Sequence, residues 1–331
     1  MTVPLPPTPA GEDPTAWIVG LRPDLNGSRR ALPADRPQGW IEEVEPDDSG
    51  EAVRFLTVFL TNRECPWRCL MCDLWHHTTL EPVPPGAIVT QIRTARLGRG
   101  DVPGLKLYNA GSFFDAGAVP LADHDAIASE IGTHRRVVVE CHPRLVGPRI
   151  PTFAGKINPA ALEVALGLET VHPEVLSRLN KRIRVADFVR ASKSLRSDGV
   201  AVRAFVLVKP PFLDEDAALE WAVRSSEVAL EAGAGVVSLI PTRGGEGALR
   251  ELERLGLFRE PGLALIEEAF DRVMALGRGR VFMDLWELDR FGAHETGFLE
   301  RRDRMERMNR LQQILPRIGA AAAAPAVTRD S

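Results

Sequence analysis

Three of the four cysteines of this 331-residue chain, Cys65, Cys69 and Cys72, lie within the stretch NRECPWRCLMCDLWHH. Spacing of C-x3-C-x2-C brings three soft ligands into one short loop, and three readings are open. The cysteines are buried small hydrophobes; or they bind structural zinc, with His76 as a fourth ligand; or they hold three irons of a cubane and leave the fourth iron without a protein ligand. Polar neighbours Asn62, Arg63, Glu64 and Arg68 weigh against the first. Structural zinc sites usually take their ligands as two pairs from separate turns, because one short loop surrounds a tetrahedron poorly. An iron without a protein ligand is free to bind a cofactor or substrate.

Chemistry of that kind needs a scaffold that presents the loop. WIEEVEP, DDSGE and AVRFLTVFLTN read as strand, turn and strand, and the second strand runs straight into the cysteines. Behind it, PPGAIVTQIRTARLG has helical spacing and LKLYNA reads as a strand. DHDAIASEI is helical, RRVVVEC a strand, and a Pro- and Gly-rich stretch follows. ALEVALGLET, AVRAFVLV and GVVSLIP read as strands separated by the helical VADFVRASKSLRSDG and DEDAALEWAVRSSEVALEAG. Such alternation predicts parallel βαβ units. Six units, counted from the strand before the cysteines, are too few for a closed eight-fold barrel. The expectation is an α/β fold, a partial (β/α)6 TIM-like barrel with an irregular N-terminal and a helical C-terminal extension. Boundaries follow from composition: 1–50 an irregular Pro-rich segment, 51–245 the barrel core, 246–316 an α/β extension packing on it, and 317–331 a disordered tail. Parallel α/β folds place chemistry at the carboxyl ends of their strands, where the cysteines fall.

The composition, 44% hydrophobic and 26% charged with a formal net charge of −4, is that of an ordinary globular protein. Net acidity leans against unaided nucleic-acid binding and leaves that partner open. No apolar run is long enough to span a membrane. The first residues lack the basic and apolar regions of a secretory signal. Crowded cysteines do not form a disulfide framework and suit a reducing cytoplasm, the expected location.

C-x3-C-x2-C leaving the first barrel strand resembles the signature of the radical S-adenosylmethionine (SAM) superfamily, with Met71 where an aromatic residue is common. Asn109-Ala110-Gly111-Ser112 resembles the turn that holds the methionine amino group of SAM, with Ser112 at the place of the usual acid and Asp115 as its substitute. VVVECHP resembles the segment whose glutamate contacts SAM, here Glu140. GLETVHPEVLSRLNKR resembles the segment of the coproporphyrinogen-dehydrogenase and elongator-type branches; the likeness places Glu169 by the SAM ribose and Lys181 by its carboxylate. KPPFLDED stands where adenine is contacted, with Lys209 beside it, and PTRGGEG puts Arg243 towards the barrel mouth. From Phe55 to about Asn309 the chain resembles the family of the radical SAM subunit of archaeosine synthase. That likeness implies an elongator-like barrel, one 4Fe–4S cluster, one SAM, a reductant such as flavodoxin or ferredoxin, and a partner subunit. It implies reductive cleavage of SAM to a 5′-deoxyadenosyl radical that takes hydrogen from a substrate, either a modified nucleoside in tRNA or a small metabolite. Only Cys141 remains for a second cubane, which excludes the multi-cluster branches.

Overall fold

The computed structural model describes residues 14–24 and 32–317. Strands β1 (Gly39–Pro46) and β2 (Ala52–Leu60) form the expected hairpin, in antiparallel register from Gly39 opposite Phe59 to Pro46 opposite Ala52. Its turn is held by Asp47, whose Oδ1 accepts from the Ser49 and Glu51 amides at 2.8 and 3.0 Å. Behind β2 the chain lays down β3 (Gly104–Asn109), β4 (Arg136–Cys141), β5 (Ala161–Glu169), β6 (Ala201–Val208), β7 (Val236–Pro241) and β8 (Arg280–Met283). All eight strands make one sheet in sequential order, and every pair from β2 onward is parallel. The sheet is an open, curled half-barrel. The six expected strands are β2 to β7, and β8, from GRVFMDL in the C-terminal extension, continues the same sheet.

Helices separate the strands. In chain order they are α1 (Pro14–Gly20), α2 (Ala87–Arg96), α3 (His124–Ile131), α4 (Arg149–Ile157), α5 (Pro173–Arg178), α6 (Val185–Ser197), α7 (Glu215–Glu231), α8 (Ala248–Arg254), α9 (Leu263–Met274) and α10 (Phe298–Leu311). Two departures from the sequence reading stand out. The Pro- and Gly-rich stretch after β4 contains α4: Pro151 is its third residue, where a missing N–H breaks no helical bond, and Ile150, Phe153 and Ile157 are buried. The N-terminal segment carries α1 as well as β1, and Ile18 of α1 is buried against Leu70, Leu249 and Phe258. The expected tail after Arg317 lies outside the described residues. Among the described residues no helix is long and apolar enough to cross a membrane.

The main core lies between the outer face of the sheet and the helices, with Val58, Leu105, Leu107, Val137, Val164 and Ile92 fully buried. The concave face is different. At its lower end, Arg203 of β6 donates to Glu45 Oε2 of β1 and to Glu163 Oε1 of β5, both at 2.6 Å. Lys106 of β3 donates to Glu43 Oε1 at 2.9 Å and also pairs with Glu45. Since β1 and β6 are not neighbours, these bonds cross the hollow and tie the edge strand to its far wall. Burial alone would raise the Glu45 carboxyl, but Arg203 and Lys106 hold it far below the usual range.

The β8 edge is covered by side chains. Asn309 of α10 donates to the Met283 carbonyl at 2.9 Å and accepts from its amide at 2.8 Å; Gln312 does the same for Val281 at 3.0 and 2.8 Å. Two carboxamides thus replace the next strand, satisfying backbone groups that would otherwise be an open pairing edge. α10 also packs on β1, so it covers the seam between the two edge strands.

Candidate functional site

β2 delivers the chain into the cysteine loop at Thr61, and buried Gln91 of α2 fixes that exit. Its side chain accepts from the Thr61 amide at 2.7 Å and donates to the Thr61 carbonyl at 2.8 Å. The loop then docks on the turn after α5. The Leu70 amide donates to the Leu179 carbonyl at 2.9 Å, and Asn180 Nδ2 donates to the Arg68 carbonyl at 3.0 Å. Among the described residues, six of the eight non-glycine residues with positive φ lie here, at the carboxyl end of the sheet: Arg68, Glu169, Asn180, Arg182, Lys209 and Phe212. Strained backbone of this kind persists where surrounding contacts over-determine it.

Burial pushes the thiols of Cys65, Cys69 and Cys72 up to about 12, against the opposing pull of the Lys181 charge on each. A thiolate at these positions therefore calls for a nearby cation, and a bound metal deprotonates its thiol ligands outright. Among the described residues, no three His, Cys, Asp or Glu side chains converge on a point that a single ion could share. His76 Nε2, the fourth zinc ligand of the rival reading, lies 3.3 Å from Asp73 Oδ1 and 4.0 Å from Glu246 Oε2, and is itself buried without a hydrogen-bond partner.

Gly111 lies against Cys65. A Cβ there would stand 3.4 Å from Cys65 Cβ, 3.5 Å from Asn109 Nδ2 and 3.7 Å from Asn62 Nδ2. Both polar atoms of the Asn109 carboxamide are buried without a partner, and so are Asn62 Oδ1 and Trp67 Nε1. Buried polar groups are nearly always paired, so unpartnered donors and acceptors beside the cysteines suit a polar ligand. Glu140 Oε2 accepts from the Asn109 amide at 2.8 Å. Burial pushes the Glu140 carboxyl up to about 8, opposed by that bond and by the Lys181 charge.

Ser112 Oγ accepts from the His142 amide at 2.8 Å, fixing the β3 turn to the end of β4. His142 stacks on Trp67 of the cysteine loop, with ring centroids 4.0 Å apart and planes 13° apart. Its Nε2 faces the Lys181 carbonyl at 2.9 Å and its Nδ1 accepts from the Arg144 amide at 3.2 Å. Only a neutral ring with hydrogen on Nε2 makes both bonds. Burial, with the Lys181 and Arg144 charges, accordingly lowers His142 to about 3. β5 ends in a register shift between Gly167 and Glu169, and Lys181 Nζ reaches Glu169 Oε1 at 2.6 Å. Burial would lower Lys181, but Glu169 and the sulfurs of Cys69 and Cys65 raise it well above its usual value.

The three cysteines, Asn109, Gly111, Ser112, Glu140, Glu169 and Lys181 therefore gather at one end of the half-barrel. Other residues singled out in the sequence have protein partners of their own, Asp115 while close enough to Cys65 for its charge to act on that thiol. Arg243 pairs with Asp284 at 3.0 Å, Lys209 Nζ donates to the Glu260 carbonyl at 3.3 Å, and Asp115 Oδ1 accepts from the Gly117 amide at 2.9 Å. Cys141 is buried in the main core. Trp67, Gln91, His142 and Asn180 were not legible as site residues, since stacking and loop docking join segments far apart in sequence.

No protein-family model matches the chain. Archaeosine synthase subunit beta of Methanosarcina acetivorans is 28% identical over 239 residues, 69% of this chain and 69% of that protein. Its namesake in Thermococcus kodakarensis is 31% identical over 126 residues, 37% of this chain and 39% of that one. A solved structure of queuine lyase from Clostridium spiroforme, bound to SAM and queuine, aligns at a TM-score of 0.46 with 19% identity, over 61% of this chain and 80% of that one. A three-cysteine loop at the carboxyl end of an open parallel half-barrel thus stands in a chain that is similar, over about two thirds of its length, to archaeosine synthase subunit beta of Methanosarcina acetivorans.

Proposed function

We propose that Cys65, Cys69 and Cys72 ligate one 4Fe–4S cluster and that Asn109, Gly111, Ser112, Glu140, Glu169 and Lys181 form the SAM site beside it. The observation that carries this reading is the buried, unpartnered Asn109 carboxamide next to Gly111 and Cys65. When bound, the cluster supplies the electron that cleaves SAM to a 5′-deoxyadenosyl radical able to take hydrogen from a substrate.

The chain's own residues bind and orient. Gly111 keeps the backbone free of a side chain where Cys65 approaches, and the Asn109 carboxamide offers both a donor and an acceptor. Lys181 presents a buried cation that suits a carboxylate, with Glu169 holding it in place. Glu140, uncharged near neutral pH, can donate as well as accept. The Trp67–His142 stack packs the loop on the end of β4, which helps to keep water from the site. The substrate is a modified nucleoside, free or in tRNA, or a small metabolite; a flavodoxin or ferredoxin supplies the electron. Relatives that are subunits by name favour a partner subunit.

The test is anaerobic reconstitution with iron and sulfide, followed by SAM and dithionite. About four irons per chain and formation of 5′-deoxyadenosine are expected. A protein that takes up zinc without sulfide and never cleaves SAM would falsify the reading.

A further inference from the structure

Residues 14–24 make contacts that neither the barrel nor the SAM site requires. Arg22 Nη1 donates to Glu64 Oε1 at 2.6 Å, and its guanidinium lies 4.6 Å from the Trp75 ring centroid. Its side chain is only 9% exposed. Glu64 immediately precedes Cys65, and Trp75 comes three residues after Cys72. One buried cation therefore touches both ends of the cysteine loop. Within the loop, Glu64 also pairs with Arg68 at 3.0 Å.

The rest of the segment is anchored on either side. Thr15 Oγ1 accepts from Asn180 Nδ2 at 3.1 Å and from Arg182 Nη2 at 2.7 Å, and Asn180 is the residue that also grips the Arg68 carbonyl. Ile18 is buried between Leu70 of the cysteine loop and Leu249 of α8. At Gly247 a Cβ would meet the Leu21 carbonyl at 3.6 Å, so the segment passes tightly over the start of α8. Three separate elements are joined by one short stretch of chain.

We infer that residues 14–24 form a strap across the cysteine loop and that Arg22 is its positioning residue, pinning both ends of the loop and favouring the reduced cluster by its charge. The inference rests on the cluster reading of the cysteines. A solvated arginine would contribute little of either effect, but a buried guanidinium in a charge-assisted bond has the geometry to hold a loop. A fixed positive charge beside a cluster favours the state carrying one more electron, because burial and nearby charges are among the levers that set its potential.

The test compares Arg22→Met, which keeps bulk and loses charge, with Arg22→Lys, which keeps charge and loses the planar fork. In anaerobically reconstituted protein, Arg22→Met should release iron in air roughly ten-fold faster than wild type, the change expected from losing one charge-assisted hydrogen bond. Its cluster potential, read by EPR titration, should move to lower values, and Arg22→Lys should restore the potential more fully than the retention of iron. Unchanged potential and unchanged iron release in Arg22→Met overturn the inference. Should Arg22→Met fail to fold, Glu64→Ala removes the acceptor of the same bond while keeping Arg22 and must speed iron release likewise. Hydrogen exchange of the metal-free protein separates the strap from the cluster reading. Residues 62–79 should exchange faster in Arg22→Met whatever metal the loop takes, and equal exchange rules out the strap. A wild type that takes zinc instead overturns the cluster reading and the charge effect, leaving the exchange result to decide the strap.

Discussion

Lys181 Nζ lies 2.6 Å from Glu169 Oε1, in the space that a side chain on Gly167 would occupy. A Cβ at Gly167 would fall on both charged atoms and 3.1 Å from Lys181 Cε, so the residue's lack of a side chain makes the buried pair possible. Gly167→Ala is expected to push the pair apart, costing about 1–3 kcal/mol in stability as overpacking does. If the pair serves SAM, the variant keeps its iron and binds SAM weakly; equilibrium binding beside an iron assay reads both. Wild-type SAM affinity in Gly167→Ala would detach the pair from the cofactor.

The cysteines make a second, sharper prediction. Cys65→Ala, Cys69→Ala and Cys72→Ala should each abolish stable iron incorporation, whereas Cys141→Ala should retain it, since Cys141 packs among core hydrophobes. Losing one buried sulfur costs Cys141→Ala roughly 1 kcal/mol of stability. Iron and sulfide assays on the four variants decide the matter, and equal loss of iron from Cys141→Ala would make it a ligand.

His76→Ala separates iron chemistry from zinc. With its ring turned to Asp73 and Glu246, His76 should be dispensable for the cluster, and the variant should still form some 5′-deoxyadenosine with dithionite. A zinc site that uses His76 would lose metal affinity on this change, because a structural site needs all four ligands. Metal analysis of the variant beside wild type distinguishes the two.

Much of this architecture was legible in the sequence because its signals are local. Val- and Leu-rich runs between amphipathic stretches marked β2 to β7, and the cysteine spacing marked the loop that follows β2. What stayed hidden depends on segments far apart. GRVFMDL gave no sign that it would join the barrel sheet, since pairing with β7 is set by the chain's return through α9. Pro151 and the nearby glycines masked α4, although a proline in a first turn is harmless. At the site, the cysteines and Lys181 were readable as residue types, but the Trp67–His142 stack and the Gln91 bridge exist only once β2, β4 and α2 are side by side.

The pH dependence of the metal-free protein tests the environment of Glu140. Burial, with the Glu169 charge adding to it, raises its carboxyl from an ordinary value near 4.5 to about 8, while the Asn109 amide bond and the Lys181 charge oppose the rise. Between those values the folded protein keeps a proton that the unfolded chain has released. Stability from this group is therefore fully present below about pH 4.5 and falls as pH rises to about 8, at up to roughly 1.4 kcal/mol per pH unit. His142 acts at the other end. Its folded value of about 3 lies below the ordinary 6.5, so it costs stability as pH falls through that range. Above about pH 6.5 the histidine contributes no slope; the four buried thiols, raised from an ordinary value of 9.0 to about 12, add a decline as pH approaches 9 that wild type and a Glu140 variant share, so the difference between the two proteins isolates Glu140. Glu140→Gln, which imitates the protonated acid, should lack this decline and be more stable than wild type at pH 8 by an amount on the order of a few kcal/mol. Urea unfolding of both proteins between pH 6.5 and 8.5 measures it. Parallel loss of stability in the two would show that Glu140 is ionised in the folded protein at neutral pH, and that Lys181 and the Asn109 amide outweigh its burial.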